Sequence, residues 1–307
     1  MTANGVFGIG ISAPQPQSDL SDLPAILDRV EAIGVETIEL PTFAMDLVVG
    51  GRIRRPHLDL LKQACAGRGV AYTAHGPLAI NFFDDPSRLQ RHFDVLQASV
   101  EVAAEIGALH YILHSGIMPV APAETIEAAY GRQREWLSRA GDLAAEHDIV
   151  LCVETMFGGF AGDRHASTPQ RLARELASID HGHVRATLDF SHAHLRQSYC
   201  GEGFVEEAAA LAPFARHLHM HDSFGRADIF ETWSESERLA FGHGDLHLPV
   251  GWGSIPWSEL MAQCVFPAGV VFNIELHPRY WYAAEECVAA TRALAKTART
   301  SALHVAA

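Results

Sequence analysis

The sequence lacks any run of about 20 apolar residues, the length needed to cross a bilayer, which argues against a membrane protein. Its first residues, MTANGVFGIGIS, have no basic region before an apolar stretch, so we expect no secretory signal. Cysteine is scarce: the five residues at 65, 152, 200, 264 and 287 are scattered and form no CxxC pair. This usage favours reduced thiols over a disulfide framework, and hence a cytoplasmic protein.

Basic residues are also few, since 23 Lys and Arg face 37 Asp and Glu, for a net charge of −14. This balance disfavours nucleic acid and anionic membranes as partners, because both are bound through basic surfaces. The segment GGRIRRPH does group Arg52, Arg54 and Arg55. That cluster is equally compatible with a solvated loop and with a clamp for a phosphate or carboxylate.

Short segments rich in β-formers alternate with amphipathic, helix-like segments along the chain. The strand-like segments are 6–12, 35–40, 70–75, 109–114, 149–154, 184–190, 216–221 and 270–276. This alternation predicts a parallel, eight-stranded (β/α)8 TIM barrel as a single α/β domain over residues 1–307. The longest gap between strands predicts an insertion at about 223–253, after strand seven. A doubly wound open sheet is the alternative, but the first strand-to-helix turn, GISAPQPQSD, lacks GxGxxG.

Residue types that bind metals stand at the predicted strand ends, which face the active-site mouth of such a barrel. With the segments that follow, they supply nine candidate ligands: His75, His114, Glu154, Asp189, His192, His219, Asp245, His247 and Glu275. Each one alone has an ordinary explanation, as a helix cap or a buried histidine. Together, buried carboxylates and imidazoles on one rim are costly unless a cation binds among them. We therefore predict between one and three divalent ions per chain, of Zn²⁺, Mn²⁺, Fe²⁺ or Co²⁺.

Three further residues are candidates to contact the substrate. In RHLHMHD, strand alternation points both His219 and His221 inward, so one can bind metal while the other reaches the substrate. The sequence does not decide between them, and we assign the substrate role to His221. Arg226 and Arg279 lie just past strands seven and eight, where they could hold an anionic substrate.

The chain contains the motifs AHGPLAINFFDD, TLDFSHAH, HMHDSFG and DLHLPVGWGSIPW. These motifs resemble those of the xylose isomerase-like barrels, a superfamily that includes endonuclease IV and many sugar or sugar phosphate isomerases and epimerases. The resemblance covers the chain from strand two to strand eight. It implies that Glu154, Asp189, His219 and Glu275 hold a single metal, as in the epimerases, and that the two glutamates also move protons.

The other candidates resemble a second pattern within the same superfamily. His192 falls where epimerases contact the substrate and where endonuclease IV binds metal. His75, His114, Asp245 and His247 fall on the remaining positions of the trinuclear zinc site of endonuclease IV. However, the loop after strand three, GPLAIN, lacks the bulky aromatic residue that endonuclease IV inserts into DNA.

We therefore expect a divalent-metal-dependent isomerase or epimerase, or a related lyase, that acts on a sugar, sugar phosphate or polyol through an enediolate. Glu154 and Glu275 would be its catalytic residues. One alternative is a multinuclear-metal phosphoester hydrolase of endonuclease IV type, and another is a multi-iron oxidative enzyme. The terminal segment ATRALAKTARTSALH fits a barrel helix as well as a dimer contact, so a homo-oligomer stays open.

Overall fold

The computed structural model describes residues 5–158, 163–201, 203–227 and 231–301. Eight parallel strands form a closed barrel, in which each strand pairs with the next in the chain and the last pairs with the first. They are β1 (Gly8–Ser12), β2 (Thr37–Pro41), β3 (Ala71–His75), β4 (His110–His114), β5 (Val150–Glu154), β6 (Val184–Asp189), β7 (Ala215–Met220) and β8 (Val271–Ile274). The predicted TIM barrel is confirmed.

Amphipathic helices connect the strands. Those in the described ranges are α1 (Leu23–Ala32), α2 (Arg55–Cys65), α3 (Leu89–Glu105), α4 (Ala123–Glu146), α5 (Pro169–Ile179), α6 (Phe190–Cys200), α7 (Phe204–Leu211), α8 (Glu235–Phe241), α9 (Trp257–Gln263) and α10 (Ala284–Thr297). In α1 the buried residues are Leu23, Ile26, Leu27 and Val30, which are spaced by three or four and form one apolar face. Burying that face against the barrel is what stabilises such a helix.

Two strand boundaries that matter for the site differ from the sequence prediction. The seventh strand ends at Met220 and the eighth at Ile274, so His221 and Glu275 are the first residues beyond their strands. The chain leaves β7 here because the backbone of Asp222 pairs with Leu248 in the segment before α9 instead of continuing the barrel. Both side chains therefore sit at the mouth rather than inside the barrel wall.

The interior of this barrel is unusually polar, whereas branched apolar residues fill most barrels of this type. Buried polar side chains recur at alternate strand positions: Thr37, Glu39, Thr73, His75, Thr187, Asp189, His217, His219 and Asn273. The intervening residues, such as Ile38 and Leu188, are equally buried but belong to the apolar core. The alternation of strand side chains thus directs one polar set into the barrel and one apolar set towards the helices.

The segment predicted as an insertion, 223–253, follows β7 and contains α8, while its residues 228–230 lie outside the described part. Among the described helices, none is long and apolar enough to cross a membrane. Cys65, Cys152, Cys264 and Cys287 are buried free thiols, and the side chain of Cys200 lies outside the described residues. Burial raises the pKa of the Cys152 thiol to about 12, so that thiol stays protonated at neutral pH.

Candidate metal centre

The closed barrel brings all nine predicted ligands to one rim. His75, His114, Glu154 and Asp189 are the last residues of β3, β4, β5 and β6. His219 is the next-to-last residue of β7, and Glu275 follows β8 directly. The others come from the first turn of α6 and from the segment after α8: His192, Asp245 and His247.

Three of these residues surround an imidazole nitrogen of a fourth. The Nδ1 atom of His219 lies 3.3 Å from Glu154 Oε1, 3.3 Å from Glu275 Oε2 and 3.6 Å from Asp189 Oδ2. We call these four residues the central group. The three distances from His219 Nδ1 are close to the edge of about 3.4 Å of a tetrahedron whose metal–ligand bonds are about 2.1 Å long. Glu154, Asp189 and His219 have ligand atoms close enough to one another to surround a divalent ion, whereas Glu275 groups in this way with His221 and His247.

His75 and His114 approach the other oxygen of Glu154. Their Nε2 atoms lie 3.2 and 3.6 Å from Glu154 Oε2. Glu154 thus presents one carboxylate oxygen to the central group and the other to this pair of histidines. That arrangement is typical of a carboxylate that bridges two ions or that links an ion to a hydrogen-bonding neighbour.

On the side of the rim opposite His75 and His114, Asp245 contacts several neighbouring side chains. Its Oδ2 atom lies 2.9 Å from His247 Nε2 and 3.2 Å from His192 Nε2, and its Oδ1 accepts a hydrogen bond from Ser191 Oγ at 3.0 Å. The Glu275 carboxylate is farther from His247 than Asp245 is, because its Oε2 atom lies 3.8 Å from His247 Nδ1. The distances around Asp245 are those of ordinary hydrogen bonds, so its carboxylate is already satisfied by protein donors.

Asp189 has two roles at once. Its Oδ1 atom accepts a hydrogen bond from the backbone N–H of His192 at 2.7 Å, which caps the start of α6. Its Oδ2 atom lies 3.0 Å from His221 Nε2 and faces the rim. The helix-cap explanation of an aspartate at a strand end therefore applies to Oδ1, while Oδ2 is left facing the candidate ligands.

The two inward histidines of the seventh strand have different surroundings, although both are fully buried. Three carboxylates face His219 Nδ1, whereas Asp189 is the nearest carboxylate to His221. The His221 ring also stacks on His247. Of the two, His219 has the geometry of the ligand in the central group.

The electrostatics of the central group depend on close charge pairing. Burial disfavours the ionised form of Glu154, but the charges of His219 and His114 hold the pKa of its carboxyl well below the usual range. Burial raises the pKa of Glu275, although His219 and His247 oppose it. Burial lowers the pKa of His75, but the carboxylates of Glu154, Glu39 and Glu275 together raise it, to about 8. These buried carboxylates thus need positive charge beside them, which protonated histidines or a coordinated cation supply.

Asp222 anchors the segment that carries Asp245 and His247. This fully buried carboxylate accepts hydrogen bonds from the backbone N–H groups of Gly251 and Ile255 and from Trp257 Nε1, at 2.8, 3.2 and 2.9 Å. At Gly253 a Cβ atom would lie 2.2 Å from Asp222 Oδ1, so only glycine fits there. The segments HMHD and GWGSIPW therefore meet in the structure: the first supplies Asp222, and the second is the loop whose N–H groups donate to it.

A cavity of about 210 Å³ opens over the rim. Its walls include Phe43, Trp281, Gln15 and His277, together with Glu39, His75, His247 and Glu275. The two arginines proposed to hold an anion do not line it. Arg226 donates a hydrogen bond to the carbonyl of Phe241, and Arg279 donates one to Ser236 Oγ.

Glu39 is a functional candidate that the sequence analysis missed. It is fully buried on β2, lines the same cavity and lies 3.4 Å from His219 Nε2. The sequence pattern predicts that the second strand ends at Leu40, and a rule based on strand ends does not select the residue before it. The available signal was alternation, because Thr37 and Glu39 share a face, and a buried inward carboxylate needs a partner.

A family model described as a xylose isomerase-like TIM barrel matches residues 27–265. Among curated protein sequences, none matches this chain. The structure is similar to that of a D-tagatose 3-epimerase-like protein, with a TM-score of 0.65 and 18% identity over 94% of this chain and 96% of that chain.

Two other solved structures are similar to the same extent. The 3-keto-D-glucoside 4-epimerase from E. coli, in its apo form, has a TM-score of 0.63 and 15% identity over 93% of this chain and 98% of its own. The IOLI protein with a zinc atom has a TM-score of 0.63 and 15% identity over 94% and 96%. At such low identities these likenesses establish the fold and leave the activity to be argued from the site.

Proposed function

This chain belongs to the xylose isomerase-like TIM barrel family, and we propose that it is a divalent-metal-dependent isomerase or epimerase of a small carbohydrate. One observation carries the proposal: Glu154 and Glu275 both lie 3.3 Å from His219 Nδ1, with Asp189 beside them. Two carboxylates next to one metal position are the groups that proton transfer at a carbon beside a carbonyl requires. The epimerases among the similar structures support a carbohydrate substrate.

The central group would hold the ion through Glu154, Asp189, His219 and Glu275. A bound divalent ion would polarise adjacent carbonyl and hydroxyl oxygens of the substrate and so acidify the C–H bond between them. The protein's own part is to move the proton. Glu154 comes from β5 and Glu275 from the end of β8, and β6 and β7 lie between these strands in the barrel. The two carboxylates thus reach the centre from different directions, one to remove the proton and the other to return it.

The cavity favours an uncharged substrate over a phosphorylated one. Within the described residues, its lining contains no lysine or arginine, and Arg226 and Arg279 are engaged elsewhere. It does contain the carboxylates of Glu39 and Glu275, which would repel a phosphate. Phe43 and Trp281 supply apolar walls suited to the C–H face of a sugar ring. We therefore propose an unphosphorylated sugar or polyol of monosaccharide size.

A phosphoester hydrolase is the second candidate, and one observation favours it. His75 and His114 form a further three-residue group with Glu154, within reach of one ion. Two ions that share Glu154 could generate and orient an attacking hydroxide. A third ion at Asp245, as in a full trinuclear set, is less needed, because His247, His192 and Ser191 hold that carboxylate at hydrogen-bond distances.

The decisive experiment measures the exchange of carbon-bound hydrogen in the substrate with solvent deuterium. Protein loaded with Mn²⁺ or Zn²⁺ is incubated in D2O with a panel of free ketoses, their phosphates and a chromogenic phosphodiester, and products are identified by NMR. The proposal predicts solvent deuterium at a carbon next to the carbonyl of a free ketose. Cleavage of the phosphodiester without such exchange would replace it with the hydrolase, and exchange in the phosphates alone would contradict the uncharged substrate.

A further inference from the structure

Beneath the central group, the barrel contains a second layer of buried ionisable residues that the proposed chemistry does not use. It consists of Glu39 on β2, His217 on β7 and His110 on β4, each at most 4% exposed. We propose that Glu39 is a positioning residue, which accepts the Nε2–H of His219 and thereby directs the Nδ1 lone pair of that histidine at the metal. This inference rests on the metal role of the central group in the proposed function.

The two nitrogens of His219 face opposite partners. Nδ1 points to Glu154, Asp189 and Glu275, while Nε2 lies 3.4 Å from Glu39 Oε2. A neutral imidazole has one N–H donor and one lone pair, and the group that accepts the N–H decides which nitrogen is free to bind metal. A carboxylate below the ring therefore selects the tautomer that the central group needs.

Glu39 is itself held in place by the barrel. Its Oε1 atom accepts a hydrogen bond from Ser12 Oγ at 2.8 Å, and Ser12 in turn accepts one from Asn273 Nδ2 at 2.9 Å. Its Oε2 atom also lies 2.9 Å from His217 Nε2. These neighbours restrict the carboxylate to one orientation, with Oε2 towards the two histidines.

The same contacts distinguish an orienting carboxylate from a metal ligand. Glu39, His217 and His219 have nitrogen and oxygen atoms close enough to surround an ion. However, the 2.9 Å between Glu39 Oε2 and His217 Nε2 is an ordinary hydrogen-bond distance, shorter than the 3.3 to 3.6 Å separations in the central group. His217 is also engaged on its other side, where its Nδ1 lies 3.3 Å from His110 Nδ1. This short separation leaves less room for an ion between Glu39 and His217, while His217 Nε2 itself makes no hydrogen bond of good geometry.

The test is metal binding by the full-length Glu39→Gln variant, measured without substrate. Affinities for Zn²⁺ and Mn²⁺ come from competition with a chromophoric chelator, stoichiometry from elemental analysis, and ligand geometry from the visible spectrum of the Co²⁺ form. Glu36→Gln is the matched control, because Glu36 lies outside the barrel interior, where it accepts from the backbone N–H of Ile9 and pairs with Arg292.

We expect Glu39→Gln to weaken metal binding about 10- to 100-fold, the usual effect of losing such a partner, with an altered Co²⁺ spectrum and unchanged stoichiometry at saturating metal. Glu39→Asp, which keeps the charge at a shorter reach, should fall between the two. Glu36→Gln should bind metal like the wild type. If Glu39→Gln does not fold, Ser12→Ala, which frees Glu39 Oε1, should still weaken binding several-fold.

Three results would overturn the inference. Unchanged affinity and an unchanged Co²⁺ spectrum in folded Glu39→Gln would show that His219 needs no such partner, and the proposed function would stand. Loss of one whole equivalent of metal would make Glu39 a ligand instead. Absence of metal binding by the wild type would overturn the proposed function itself, and this inference with it.

Discussion

His221 and His247 stack face to face, with ring centroids 4.0 Å apart and planes inclined by 2°. His247 also lies 2.9 Å from Asp245, whose charge raises the pKa of that imidazole to about 9 against the effect of burial. The stack and the ion pair together hold the His247 ring between two protein partners. The central group differs, because three carboxylates face one nitrogen, His219 Nδ1, at 3.3 to 3.6 Å, and a single imidazole N–H cannot serve all three.

The contrast between the central group and the His221–His247 stack predicts the number of ions per chain. We expect one equivalent of Mn²⁺ or Zn²⁺ in the wild type, retained in His247→Ala and lost in Asp189→Asn, as measured by elemental analysis after gel filtration. His277→Ala, a change of the same kind on the same cavity, is the control. Loss of a second equivalent in His247→Ala would favour the multinuclear hydrolase.

Glu154→Gln and Glu275→Gln should each lower turnover by at least about 100-fold at saturating metal, because proton transfer by a positioned side chain contributes that much or more. Exchange of solvent deuterium into the substrate should fall in parallel, while circular dichroism stays that of the folded barrel. Glu259→Gln, on the exposed side of α9, should leave turnover unchanged. Full exchange in either active-site variant would remove that glutamate from the proton-transfer role.

Asp222→Asn should destabilise the loop from Gly251 to Trp257. The variant replaces a charged acceptor of four hydrogen bonds, three of them from this loop, with an amide, and we expect the free energy of unfolding to fall by about 3 kcal/mol in urea titrations. Trp257→Phe removes one of these bonds and keeps most of the ring, so it should cost about 1 kcal/mol. Equal losses in the two variants would mean that the carboxylate is not the anchor.

His110 should make stability depend on pH. Burial, together with the charges of His217 and Arg216, holds the pKa of His110 well below 6.5, so the folded protein resists its protonation. Below pH 6.5 the unfolded chain binds a proton that the folded chain does not, and stability falls as the pH falls. We expect His110→Leu to reduce this slope by up to about 1.4 kcal/mol per pH unit in denaturant titrations from pH 7 to 5. Parallel curves for the two proteins would contradict the assignment.

The sequence by itself determined the barrel and which imidazole and carboxylate side chains gather at its mouth. Both follow from local patterns: eight strand–helix units imply parallel pairing, and strand ends in such a barrel share one rim. Thus His75, His114, Glu154 and Asp189 could be placed from their positions at the ends of strands alone. The resemblance to the xylose isomerase-like barrels was confirmed by the family match over residues 27–265.

Only the tertiary structure decided how these residues group, because grouping depends on barrel closure and on contacts between distant segments. Glu154 meets His219 across 65 positions, and Glu39 meets it across 180. The direction of each side chain in the loops depends on similar contacts, as when Asp222 orders the segment that bears His247. Strand alternation predicts that a side chain points inward. Packing decides which nitrogen or oxygen atom that side chain presents and which partner the atom contacts.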